Sequence, residues 1–128
     1  MRCYKTFILS YESPGIRHDA LFFELHEDGS GAMIEVIGTL ERGMRMESRL
    51  TLGRPEDDPD SPTNKQFVGW VHEGKYPRVL EICSRVPPPP KQLVRGKLID
   101  PHQSLRSSKH WTKEAVYALE TAGILGPV

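Results

Sequence analysis

Residues 17–25 read Arg17-His18-Asp19-Ala20-Leu21-Phe22-Phe23-Glu24-Leu25, and the reading of this stretch decides the fold. Its apolar run is nearly continuous and of strand length. That pattern predicts a β-strand over His18–Leu25, central in a sheet and covered on both faces. His18 stands where the preceding loop enters the strand. Immediately after it, His26-Glu27-Asp28-Gly29-Ser30-Gly31 supplies the glycines and Asp of a hairpin loop. Ala32 to Gly38 then forms the next strand.

The same signals extend outward. Residues 2–10 (RCYKTFILS) are rich in strand formers, and Glu12-Ser13-Pro14-Gly15 is a turn. Residues 45–52 (RMESRLTL) alternate and predict a fourth strand, and Lys65 to His72 a fifth, with Phe67 and Val71 among its core residues. Residues 53–64 form an acidic, proline-rich loop that neither a strand nor a helix tolerates. In residues 76–85, Val79, Leu80, Ile82 and Cys83 sit close to helical spacing and predict a short helix, ended by Pro87-Pro88-Pro89-Pro90. Four consecutive prolines favour a polyproline II segment. Residues 91–101 read as extended or irregular. Over 109–122, Trp111, Ala115, Leu119 and Ala122 repeat on one face of a final helix, with Gly123 closing it. The expected architecture is α+β: an antiparallel β-sheet packed against a C-terminal helix.

At 128 residues the chain has the size of one domain, spanning 1–128. It carries 17 basic and 17 acidic residues, so no net field draws it to nucleic acid or an acidic membrane. Zero net charge favours self-association, and a homodimer is the expected assembly. The two cysteines, Cys3 and Cys83, are too few for a secreted disulfide scaffold. No apolar leader follows Met1-Arg2-Cys3-Tyr4-Lys5, and no apolar stretch approaches the roughly 20 residues that span a bilayer. A cytoplasmic protein with reduced thiols is expected.

Two places could carry chemistry. Ser107 or Ser108 is suited to cap the final helix. A Cys at such a helix start becomes a thiolate beside free N–H groups, whereas a Ser gains little and needs a general base. Ser108 therefore reads as a plain cap, a hydrogen-bond donor to a ligand, or a nucleophile. The other place is His18, the residue type most easily poised for proton transfer near neutral pH, or simply satisfied at a strand end. Glu35, between Ile34 and Val36 on the neighbouring strand, is the candidate to orient it, although alternation ordinarily turns such a Glu to solvent. Trp70 and Trp111 are candidate apolar walls of a ligand site. His110, in the first turn of the final helix, is a further ligand candidate in a position that ordinarily faces solvent. Cys83, in an apolar helical stretch, reads as a small core residue. The histidines show no metal-ligand spacing and there is no C-x-x-C, so neither a metal nor a cofactor is expected. The acidic run Glu56-Asp57-Asp58-Pro59-Asp60 lacks the spacing of a calcium loop and reads as solvated.

Three stretches carry a resemblance that covers about half the chain. They are His18-Asp19-Ala20-Leu21-Phe22 with Gly31-Ala32-Met33-Ile34-Glu35-Val36, then Ile82-Cys83-Ser84-Arg85-Val86-Pro87-Pro88-Pro89, and Trp111-Thr112-Lys113-Glu114-Ala115-Val116 with Leu119. They resemble a group of small fungal proteins that often read Arg-Cys-Gln-Glu-Trp-Thr ahead of the final helix. A strand-leading His followed by a late helix-start Cys is similar to lecithin:retinol acyltransferase-like and other permuted papain-fold thiol hydrolases. The resemblance implies a permuted papain-like fold with His18 in the catalytic place. Counting back from Trp111, the nucleophile position holds Ser108 in place of Cys. The implied function is a papain-fold relative without thiol chemistry. Such a protein would bind a small organic ligand and carry out a proton transfer, an isomerisation or cyclisation in small-molecule biosynthesis. Two alternatives stand beside it. One is an active hydrolase or acyltransferase with Ser108 as nucleophile and His18 as base. The other is a non-catalytic interaction domain using Pro87–Pro90 and the acidic loop.

Overall fold

The computed structural model describes residues 2–127. Five long strands follow one another: β1 Cys3–Ser13, β2 Ile16–Glu24, β3 Gly31–Thr39, β4 Gly43–Leu50 and β5 Asn64–His72. A six-residue helix, α1 Val79–Ser84, follows a single 3-10 turn at Tyr76–Arg78. A small hairpin, β6 Leu93–Val94 and β7 Lys97–Leu98, then leads to α2 Ser108–Thr121 and a two-residue strand, β8 Leu125–Gly126. Six strands form one sheet in the order β4-β3-β2-β1-β5-β8, antiparallel throughout. The architecture is α+β, with an antiparallel sheet packed against the C-terminal helix.

β2 lies inside the sheet with both of its faces buried, as its unbroken apolar content requires. Alternation splits its side chains between two different coverings. Leu21 and Phe23 join Ile8, Ile34, Val36 and Val71 in a cluster closed by Trp111, Ala115 and Leu119 of α2 and by Val79, Ile82 and Cys83 of α1. Ala20 and Phe22 join Leu9 and Met33 in a second cluster on the opposite face.

The helix that closes the first face is well terminated. Ser107 is its N-cap, and the His110 ring turns back so that Nδ1 accepts the Ser107 N–H at 2.9 Å. At the other end, Gly123 adopts φ 73°. This lets the Ile124 N–H reach the Leu119 carbonyl and the Gly123 N–H reach that of Glu120, so two otherwise orphaned carbonyls are satisfied. The chain is thereby turned to lay β8 along β5. There Gly69, at φ 147°, has the Gly126 carbonyl where a Cβ would stand, next to a bulge in the β1–β5 pairing.

The second face is bordered by the acidic, proline-rich loop, whose Glu56, Asp57, Asp58 and Asp60 are exposed, as expected, while its backbone is pinned at both ends. Thr51 and Gly31 are joined by three hydrogen bonds: the Thr51 N–H and hydroxyl donate to the Gly31 carbonyl, and the Gly31 N–H donates to Thr51 Oγ1. At the far end, Thr63 donates both its N–H and its hydroxyl to the Ser10 carbonyl. Between these pins the loop crosses β2. Pro55 is buried, and Lys65 holds Glu56 at 3.2 Å while its ammonium lies 4.3 Å over the Phe7 ring. The expectation that the prolines exclude any helix is corrected in one place: Pro55–Asp57 form a 3-10 turn, with Pro55 at its start, where a missing N–H costs nothing.

Candidate functional site

Towards the N-terminal end of β2 the loop and the sheet part, leaving an open cleft of about 510 Å³. Its lining includes Tyr11 of β1, His18 of β2, Arg49 of β4 and, from the loop, Asp58, Pro59 and Asp60. Register explains the assembly. Tyr11 pairs directly with His18, and their rings lie 6.3 Å apart. The β2–β3 pairing ends at Leu21 and Ile34. Beyond it His18 leans diagonally towards Glu35, and His18 Nε2 comes within 2.7 Å of Glu35 Oε1. The other Glu35 oxygen lies 3.5 Å from Arg49 Nε. Alternation places Glu35 beside Met33, on the loop-covered face, and the acid is mostly buried there.

These contacts set the charge state of the floor of the cleft. The hydrogen bond from His18 holds the Glu35 carboxyl below the usual glutamate range, outweighing burial, and Arg49 adds to the same effect. Glu35 is therefore an acceptor at neutral pH. A carboxylate on Nε2 selects the tautomer with the proton on Nε2 and leaves the lone pair of the neutral ring on Nδ1. Among the described residues Nδ1 has no protein partner, and the ring is about 30% exposed. Burial pushes the Tyr11 phenol up to about 12, so its hydroxyl keeps its proton and can donate.

The remaining candidates fall elsewhere. Ser108 is the first residue of α2, on the other face of the sheet, and is almost fully buried. Its hydroxyl accepts the Asp19 amide at 3.2 Å, completing β2 where β3 has turned away. The expectation that His18 and Ser108 face one cleft is thus corrected. Consecutive residues of a strand point to opposite faces, and α2 docks on the Asp19 side. A serine nucleophile needs its base within hydrogen-bond reach, and the fold puts the sheet between the two. Trp111 is likewise no wall of a cleft, because it is wholly buried under the sheet with its indole N–H donating to the Val86 carbonyl at 3.0 Å. His110 is occupied in capping α2. Trp70 shares a sheet face with His18. It pairs with Lys5, however, while His18 pairs with Tyr11, and six residues of strand put about 20 Å between them.

All members of the cleft but His18 escaped sequence reasoning: Tyr11 to Ser13 of β1, Ile16 of β2, Arg49 of β4 and the loop residues Asp58 to Ser61. A signal existed for Arg49. It occupies an alternating strand next to the one bearing Glu35, where an acid on a half-buried face calls for a counter-charge. Cys83, wholly buried, has its thiol pushed up to about 12 by burial and is unreactive as a nucleophile. Among the described residues no group of three His, Cys, Asp or Glu side chains is placed to hold a metal ion, and no helix is long and apolar enough to cross a membrane.

Comparison with known families places the chain. It belongs to a family of unknown function, DUF6540, whose model matches residues 6–126. Neither a curated protein nor a solved structure is matched by the chain.

Proposed function

For this member of that family we propose a small-molecule site in the cleft at the start of β2, with His18 as acid–base group and Glu35 as the residue that orients it. The observation that carries the reading is the 2.7 Å contact between His18 Nε2 and the mostly buried Glu35 carboxylate, made at the floor of an open cleft. Glu35 fixes the ring and offsets the positive charge that forms when Nδ1 takes a proton, the arrangement a general base requires. The neutral Tyr11 hydroxyl and the Arg49 guanidinium are placed to bind an oxygen that becomes negative as that proton leaves. The chemistry is a proton shift within one molecule, an isomerisation or cyclisation, in which His18 removes a proton and returns it at a second position.

A relation to permuted papain-like proteins is part of this reading. It is supported by chain order, with His18 near the start of β2, which begins at Ile16 rather than at His18 as expected, an acid on the next strand and a final helix beginning at Ser108. The helix-start position that holds the nucleophile of such enzymes, Ser108 here, lies outside the cleft, buried against the Asp19 amide. Hydrolysis or acyl transfer through Ser108 is for that reason the less favoured function.

The reading is tested by an NMR screen of small organic fragments bearing carbonyl, carboxylate or enol groups. Fragments should shift the resonances of Tyr11, His18 and Arg49. Their affinity should fall by about tenfold or more in His18→Ala, the loss expected when a charge-assisted hydrogen bond is removed, and should be unchanged in Ser108→Ala. Fragments that bind only elsewhere, or that bind His18→Ala equally well, would contradict it.

A further inference from the structure

The two edges of the sheet are not alike. β8 closes one edge with only two residues, whereas β4 offers the other along its eight residues, Gly43–Leu50. Long unpaired edges invite pairing with another chain unless something blocks them. Part of this edge is blocked: the Met44 N–H donates to the Pro89 carbonyl at 2.8 Å, so the polyproline segment covers its beginning.

The geometry says which backbone groups remain. The Thr51 N–H points inward to Gly31, and alternation along an antiparallel strand makes the odd-numbered residues face β3 and the even-numbered ones face out. The outward position of the Met44 N–H agrees. Among the described residues, the outward backbone donors and acceptors of Met46, Ser48 and Leu50 have no partner. Their side chains, with that of Met44, lie on the helix-covered face, where Leu50 is 76% exposed. Leu50 also lines an apolar groove with Ile34, Pro77, Val79 and Leu80. The other face of β4 carries Arg45, Glu47 and Arg49.

We propose that the edge of β4 is a homodimer interface, in which two copies pair antiparallel about a twofold axis at Ser48. This register sets Met46 opposite Leu50 of the partner subunit as hydrogen-bonded pairs on the apolar face. On the other face it sets Glu47 opposite the partner's Arg49, twice. Those charged pairs fall at non-hydrogen-bonded positions, where opposed side chains come closest. Moving the axis to Glu47 would place Glu47 against Glu47 and Arg45 against Arg49, and would also need the Met44 N–H that Pro89 already holds. Moving it past Ser48 by the same amount would place Arg49 against Arg49. Strand polarity, the blocked Met44 and the charge pattern agree on one register, and the zero net charge of the chain adds no general repulsion. The dimer would extend the sheet across both copies. It would also bring the partner's Glu47 to Arg49, the residue that contacts Glu35 in the cleft.

The full chain should sediment as a dimer in analytical ultracentrifugation at micromolar to millimolar concentrations. Glu47→Arg, which opposes two like charges twice, should give single-chain mass. The double variant Glu47→Arg with Arg49→Glu should restore the dimer, since it reverses each pair. Ser48→Pro removes an outward N–H that the β3 pairing does not use. It too should give folded single chains, with folding verified by circular dichroism. Monomer at every concentration would overturn the proposal. So would a dimer indifferent to Glu47→Arg and Ser48→Pro, or a folded double variant that stays monomeric.

Discussion

The two faces of β2 carry similar apolar content and have opposite characters. On one, Leu21 and Phe23 meet two helices, the indole N–H of Trp111 donates to Val86, and Cys83 is held neutral by burial. On the other, Ala20 and Phe22 meet a loop, which cannot exclude water along its whole length. Past Ala20 the strand presents His18, backed by Glu35 and Arg49. A helix buries a stripe continuously, whereas a loop pinned at Thr51 and Thr63 covers the middle and leaves the end open. The difference teaches that chemistry in this molecule resides where the covering is incomplete. The helix start, Ser108 included, is structural.

Substitutions should break the symmetry between the faces in a graded way. Leu119→Ala, on the dry face, should cost about 2–5 kcal/mol in chemical denaturation. A loss under about half a kcal/mol would mean that α2 is not docked as described. His18→Ala should cost less than about 1 kcal/mol, the scale of a partly exposed ion pair. A cost equal to that of Leu119→Ala would make His18 a core residue and remove the distinction.

Thr6 sharpens the comparison from inside the dry face. It lies on the side of Ile8, and among the described residues its buried hydroxyl has no hydrogen-bond partner. Thr6→Val should therefore stabilise the fold by about 1 kcal/mol, the penalty of such an orphaned group. Destabilisation would show that a partner, such as a buried water, sits there. The thiols give a chemical version of the same contrast. Cys3 is exposed and Cys83 buried, so a maleimide should label Cys3 at once and Cys83 only on unfolding.

The pH dependence has two arms of opposite origin. Tyr11 ionises near 12 in the fold against about 10 in an unfolded chain. Its contribution to stability is complete below pH 10 and is lost as pH rises from about 10 towards 12. Glu35 is lowered in the fold. Its contribution is present above the unfolded glutamate value of about 4.3 and is lost as pH falls through the folded one. An ultraviolet titration of the tyrosines checks the first arm. Ionisation of Tyr11 at an ordinary pH would place its ring in solvent.

Much of this architecture was legible in the chain. Alternation and turn residues gave β1 to β5, and the Trp111, Ala115 and Leu119 stripe with Gly123 gave α2. β8 was not legible, because two residues become a strand only when Gly69 lets them approach β5. The acidic run 56–60 read correctly as solvated, since its four acids are exposed, but the pinning of the loop was not legible, because it depends on Thr51 and Thr63 meeting Gly31 and Ser10, partners distant in sequence. The site was half legible. His18 and Glu35 were named together, but β2 is apolar on both sides, so its pattern cannot say which face the helix takes. The resemblance to permuted papain-like chain order set Ser108 beside His18, with Trp111 as a wall, and the two-sided pattern of β2 offered nothing against it.

The most direct test of the account is the carboxyl titration of Glu35, followed by NMR in the native protein and in two variants. The account predicts that Glu35 titrates below the ordinary glutamate range in the native protein. It predicts a clear rise in His18→Ala, where burial acts without the hydrogen bond that opposed it, and no change in Ser108→Ala. A Glu35 that titrates alike in the native protein and His18→Ala would contradict the pairing on which the proposed site depends.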